Sequence, residues 1–96
     1  MDIKVQKINE WLQTGQYGVP DFIEDLLGEV TDTEALIKWS YALDYDENEV
    51  FIAFAENRLE DIAHGTNDVG LLRKIADNSR NMAKKLNAER KMKDLV

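Results

Sequence analysis

The sequence predicts an all-α protein: a compact bundle of four to five helices ending in a long C-terminal helix. Three observations predict it. Apolar residues recur at steps of three and four along most of the chain. One Pro and five Gly leave too little punctuation for many short strands. Cap patterns stand just ahead of the apolar runs. Residues 31–65 organise the rest as two antiparallel helices joined by a tight turn, a platform for the flanking stripes.

Taken in order, residues 2–14 place Val5, Ile8, Trp11 and Leu12 on one face of a short amphipathic helix, with Ile3 flanking it. Gly15 stops this helix, and Gly18 follows in the loop. Pro20 opens the second helix, where its fixed φ and missing N–H are acceptable at a first helical position. Asp21, Glu24 and Asp25 then lie near the positive end of the helix dipole. Phe22, Ile23, Leu26, Leu27 and Val30 form its stripe, and the helix ends near Gly28. Thr31-x-x-Glu34 is a capping-box pattern for the third helix, with Thr33 as a competing cap. That helix buries Ala35, Leu36, Trp39, Ala42 and Leu43, while Ile37 and Tyr41 fall on a second face. Asp44-Tyr45-Asp46 breaks the period, and Asp46-x-x-Glu49 caps the fourth helix. Its stripe is Val50, Phe51, Phe54, Ala55, Leu59 and Ile62, and His64-Gly65 ends it. Thr66-Asn67-Asp68 offers N-caps for one long last helix. Its stripe is Val69, Leu72, Ile75, Ala76, Met82, Ala83 and Leu86, with Ser79 in the seam. Ala88, Met92 and Leu95 lie on a rotated face, so residues 88–96 are expected to project, to fray or to contact another chain.

Ninety-six residues suit one domain over 1–96. A chain of that size buries somewhat more than roughly 60% of its extended surface, enough for one core with little margin. Apolar content of 44% with 32% charged residues is a globular composition. The chain has no Cys, which excludes a disulfide framework, a thiolate zinc site and a Cys nucleophile. The first ten residues carry no apolar core of signal-peptide length, and no run approaches the roughly 18–20 apolar residues of a membrane span. The expectation is a soluble cytoplasmic protein with no membrane partner.

Charge is unevenly spread. Residues 1–62 hold fifteen acids against four bases, a net −11, and residues 63–96 hold four acids against eight bases, a net +4. Such asymmetry is a statement about partners rather than fold.

No residue set reads as catalytic. Asp44, Asp46 and Asn48 mimic the opening of an EF-hand loop, but the sixth position is Glu49 instead of Gly and the twelfth is Ala55 instead of Glu. The plainer reading is a turn and a cap. His64 is the one His, beside a helix-ending Gly, and cannot build a His-rich metal site alone. Ser40 and Ser79 sit inside helical patterns without a nucleophile elbow. There is no phosphate-cradling Gly loop. The expectation is a non-enzyme with no cofactor and no metal.

Two features stand above background. The first is a carboxylate surface. Helical neighbours at i, i+3 and i+4 lie roughly 5–6 Å apart at Cβ. Glu24, Asp25, Glu29, Asp32 and Glu34, and separately Glu49, Glu56 and Glu60, can therefore make rows of negative charge. These rows suit a protein partner with a basic surface, including one built for DNA; a merely solubilising face is the plainer alternative. The second is the basic C-terminal helix with Arg73, Arg80, Lys84, Lys85, Arg90 and Lys91. It offers a partner or phosphate surface, or a homodimer contact with Met92, Leu95 and Val96; pairing with the body's own acids is the plainer alternative. Nucleic acid is the less favoured partner, because the acidic body repels it and no aromatics interleave the bases.

The stretch G-V-P-D-F-I-E-D-L-L-G-E, followed by T-E-A-L-I-K-W-S-Y-A-L-D-Y-D-E-N-E-V-F-I-A-F-A-E-N, resembles the helical part of ArdA-type antirestriction proteins over about residues 18–60. In that family an acidic segment after a G-x-P-like turn leads into a helix, an aspartate-rich break and an A-[FY]-x-x-E-[NH]-type helix. The resemblance implies an acidic DNA mimic carried by a phage or mobile element, one that occupies the DNA site of a restriction enzyme.

Overall fold

The computed structural model describes residues 2–14, 18–42 and 45–95. Expectations that fall on Gly15, Leu43, Asp44 and Val96 lie outside the described residues, as does the side chain of Ala42. The described residues form six helices and no strand: α1 (Ile3–Gln13), α2 (Asp21–Leu27), α3 (Thr33–Ala42), α4 (Tyr45–Gly65), α5 (Val69–Asp77) and α6 (Met82–Leu95). The all-α class is as expected. The count of four to five and the single long C-terminal helix are not, because α5 and α6 are separate. The chain divides into two compact units, Met1–Arg58 and Leu59–Val96.

In the first unit, the Asp2 carboxylate caps α1 by accepting from the Lys4 N–H at 2.9 Å. At the other end the Thr14 hydroxyl donates to the Trp11 carbonyl at 2.6 Å. Ile8 is fully buried, with Val5, Trp11 and Leu12 half-buried beside it, as the α1 stripe requires. Gly18 turns with φ +80, a left-handed conformation that L side chains rarely adopt, and delivers the chain to Pro20. Pro20 stands at the N-cap with an extended backbone, one residue earlier than expected, and its carbonyl accepts from the Ile23 and Glu24 N–H groups. Ile23 and Leu27 are buried at i and i+4 on one face of α2, and Val30 is buried just past its C-terminal end. Phe22 is not: one position off that face, it is 58% exposed.

The cap of α3 is Asp32 rather than Thr31 or Thr33. Its carboxylate accepts from the Ala35 N–H at 3.1 Å, and its carbonyl takes the first helical bond from Leu36. Asp and Thr both cap well, and the one that reaches the N3 N–H fixes the helix start. Leu36 and Trp39 are buried, and buried Ser40 satisfies its hydroxyl on the Leu36 carbonyl at 3.0 Å.

Three aromatic rings join these helices. Phe51 of α4 packs on Trp11 at 5.7 Å between ring centroids and meets Trp39 edge-on at 5.8 Å. The Trp39 indole N–H donates to the Asn9 side-chain oxygen at 2.8 Å, tying α3 to α1. The Arg58 guanidinium donates through Nε to the Val30 carbonyl at 2.7 Å, tying α4 to the α2–α3 connection. A charge-assisted bond to a backbone carbonyl is worth about 1.5–3 kcal/mol. Arg58→Ala is therefore expected to lower stability by that amount in denaturant unfolding, with Arg58→Lys recovering only part because it lacks the planar fork.

Helix α4 is kinked at Asn48 (φ −121, ψ 23). Past the kink its buried line within the first unit is Phe51, Ile52 and Ala55, so Ile52, outside the expected stripe, joins the core. Val50, expected in the stripe, is exposed, and Phe54 is half-buried.

The second unit holds the C-terminal part of α4, with Leu59 and Ala63 buried, and the pair α5 and α6 packed on each other. Asp68 caps α5 by accepting from the Leu71 N–H at 3.1 Å. Leu72, Ile75 and Ala76 are buried on the expected face. The helix then stops at Asn78, whose side-chain amide donates to the Lys74 carbonyl at 2.8 Å. Asn81 restarts it: its side-chain oxygen accepts from the Lys84 N–H at 3.2 Å and its carbonyl from the Lys85 N–H. Two asparagines three residues apart thus hydrogen-bond the backbone at the end of one helix and the start of the next, which is why the long helix breaks. The break resets the rotational phase. Met82 (68% exposed), Ala83 and Leu86 (50%) face outward, and Ala88 and Met92 are the buried positions of α6. Asn81→Ala removes this cap and is expected to cost about 1 kcal/mol, read as a lower midpoint with an unchanged denaturant slope.

Candidate protein-interaction surfaces

The acidic residues of the first unit are placed by its caps and turns. Glu24 and Asp25 ride the outer face of α2 opposite Ile23 and Leu27, and both are exposed. Glu29, Asp32 and Glu34 follow on the α2–α3 connection and the first turn of α3, again exposed. All five therefore reach solvent on consecutive elements, with exposed Phe22 beside Asp21 and Asp25. Lys4 stands 3.9 Å from Glu29 across exposed side chains, a loose pair worth little. The unit holds thirteen acids against four bases, a net −9. One of the four bases, Arg58, is directed at the Val30 carbonyl.

The second acidic row is uneven. Glu49 is exposed, but Glu56 and Glu60 are half-buried, and one Glu56 carboxylate oxygen is buried without a hydrogen-bond partner among the described residues. Glu49 instead borders a cleft of about 180 Å3 in the first unit. Trp11, Val19, Val50 and Phe51 line its apolar part, and Asp46, Glu47 and Glu49 its polar part. An apolar wall beside carboxylates suits the methylene stem and charged head of a lysine or arginine. Nothing in the local sequence pattern marked this cleft, because Trp11 and Glu49 lie far apart along the chain.

Among the basic residues, Arg73, Arg80 and Arg90 are exposed and Lys84, Lys85 and Lys91 half-buried. They do not form one surface set. Lys91 donates from Nζ to the Ala63 carbonyl at 3.0 Å and to the His64 carbonyl, satisfying the C-terminal end of α4 as a cation should. His64 contributes its backbone to that contact, and its side chain is exposed. Arg73 lies 3.9 Å from Asp77 one turn on. Between α5 and α6 runs an open groove of about 350 Å3, lined by Val69, Arg73, Glu89, Met92 and Lys93.

No group of three or more His, Cys, Asp or Glu among the described residues is arranged to hold a metal ion. No helix among them is long and apolar enough to cross a membrane. Compared with protein-family models, curated proteins and solved structures, the chain matches none.

Proposed function

We propose that the protein is a small non-catalytic interaction module whose acidic first unit binds a basic surface on a partner protein. The observation that carries this reading is the exposure of Glu24, Asp25, Glu29, Asp32, Glu34 and Glu49 on a unit of net −9. Complementary potentials steer association and select partners, and the acids that do so must lie at the surface. The cleft of Trp11, Asp46 and Glu49 supplies a place for one basic side chain within that surface. The resemblance of residues 18–60 to ArdA-type proteins narrows the partner to a DNA-binding protein such as a restriction enzyme, met by a product of a phage or mobile element. The cytoplasm is where such a partner works.

The test is capture of partners on immobilised protein at low and at high salt. The expected result is a nucleic-acid-binding protein held at low salt and released at high salt, because exposed charges are screened within about 3 Å at 1 M salt. Capture dominated by acidic proteins would count against it.

A second reading places the partner surface on α6 and works through association of its helices. Exposed Met82 and Leu86, one turn apart, favour it. Met82→Ser with Leu86→Ser removes that stripe without touching buried Ala88 or Met92. Unchanged oligomeric state and partner binding in this variant would rule the second reading out.

A further inference from the structure

We infer that the α5–α6 groove is a docking site for the α2 face of a second copy of this chain. The groove has an apolar floor made by Val69 and Met92, with Arg73 on one helix and Lys93 on the other beside it. Val69 and Arg73 are one turn apart on α5; Met92 and Lys93 are adjacent on α6. Its chemistry asks for a large apolar side chain with carboxylates about one turn away. The α2 face has that pattern. Phe22 is 58% exposed, Asp25 follows at i+3 on the same helix, and Glu29 lies just past its C-terminal end; both acids are exposed. Helical neighbours at i and i+3 lie roughly 5–6 Å apart at Cβ, so a phenyl ring on Val69 and Met92 brings Asp25 within reach of a cation on the groove.

Charge complementarity decides the occupant. The second unit holds eight bases against six acids, and the first unit carries net −9. The exposed stripe of another α6, Met82 and Leu86, is flanked by Lys85 and Arg90 and would set like charges against Arg73 and Lys93. The α2 face sets opposite ones. Among the described residues that line the groove, two cations, Arg73 and Lys93, stand against one carboxylate, Glu89. A central aromatic anchor with opposite charges around it is the arrangement that dominates small interfaces.

The test is sedimentation of the purified full chain from micromolar to near-millimolar concentration, at low and high salt, with helicity checked for each variant. The expected result is a mass that rises with concentration, less so at high salt. Phe22→Ser is expected to weaken the association about 10-fold or more. Lys93→Glu is expected to weaken it about 3- to 10-fold. Asp25→Lys combined with Lys93→Glu exchanges the charges and restores it. A chain that stays monomeric throughout overturns the inference, as does association that neither single substitution weakens or that the exchange fails to restore. A monomer whose Met92 methyl resonance shifts on adding an acidic peptide with one Phe also overturns it, and gives the groove to another partner. Because no partner protein is present, this outcome is independent of the partner-binding reading.

Discussion

Phe51→Ala is expected to lower stability by about 3–5 kcal/mol and to displace both tryptophans. Phe51 is 2% exposed and is the ring on which Trp11 of α1 and Trp39 of α3 both pack. Truncation removes the apolar transfer term, the two ring contacts and the atoms that fill the space between three helices. The first unit cannot collapse freely into the gap, because the Trp39–Asn9 hydrogen bond holds α3 on α1. A chain of this size has a total stability of roughly 5–15 kcal/mol, so the loss is a large share of the whole. At about 4–8 °C per kcal/mol for a small domain, the expected fall in Tm exceeds 10 °C. Thermal unfolding by circular dichroism measures it, and a red shift of tryptophan emission reports exposure of Trp11 and Trp39. Phe51→Leu keeps most of the volume and is expected to cost far less. A Phe51→Ala protein that unfolds within a degree or two of the parent would show that the three rings are not the centre of this unit.

Reversing Glu24, Asp25 and Glu29 to lysine is expected to weaken partner binding about 10- to 100-fold, with little effect on stability. All three are exposed, so none is needed by the core. Each exposed charge contact is worth about 0.2–1 kcal/mol, reversal replaces attraction by repulsion, and three together reach about 1–3 kcal/mol. Most of the loss should appear in the association rate and in its salt dependence. Glu56→Lys is the informative contrast: Glu56 is half-buried with one oxygen buried, so its reversal should act on stability more than on binding. Equal binding by the triple variant would remove the α2 face from the site.

The helical class, the first three helices and most of their buried faces were legible in the sequence, because period 3.6 and cap residues act locally. Ile8, Leu27, Leu36 and Leu72 are buried where the stripes put them. What failed was phase and punctuation. Phe22 and Val50 sit one position off the buried line, a difference of about 100° that a short helix does not average out. The run N-S-R-N at 78–81 carried the signal for a helix break, since both asparagines can bond the backbone locally. Reading Ser79 as a seam residue carried one phase through that break and inverted the faces of α6. Exposure of Glu24 and Asp25 followed from their position off the apolar stripe of α2. The Trp11 cleft and the α5–α6 groove depend on residues distant in sequence, and Lys91 binds the carbonyls of Ala63 and His64 through a contact 27 and 28 residues long. No local pattern specifies such pairings.

The most direct test of the central claim is the salt dependence of affinity for one purified captured partner, measured with the parent chain and with the Glu24, Asp25 and Glu29 reversal. Acidic-face binding predicts an affinity that falls steadily as salt rises for the parent, and a weaker, flatter dependence for the variant. An affinity that is insensitive to salt and equal in the two proteins would contradict it.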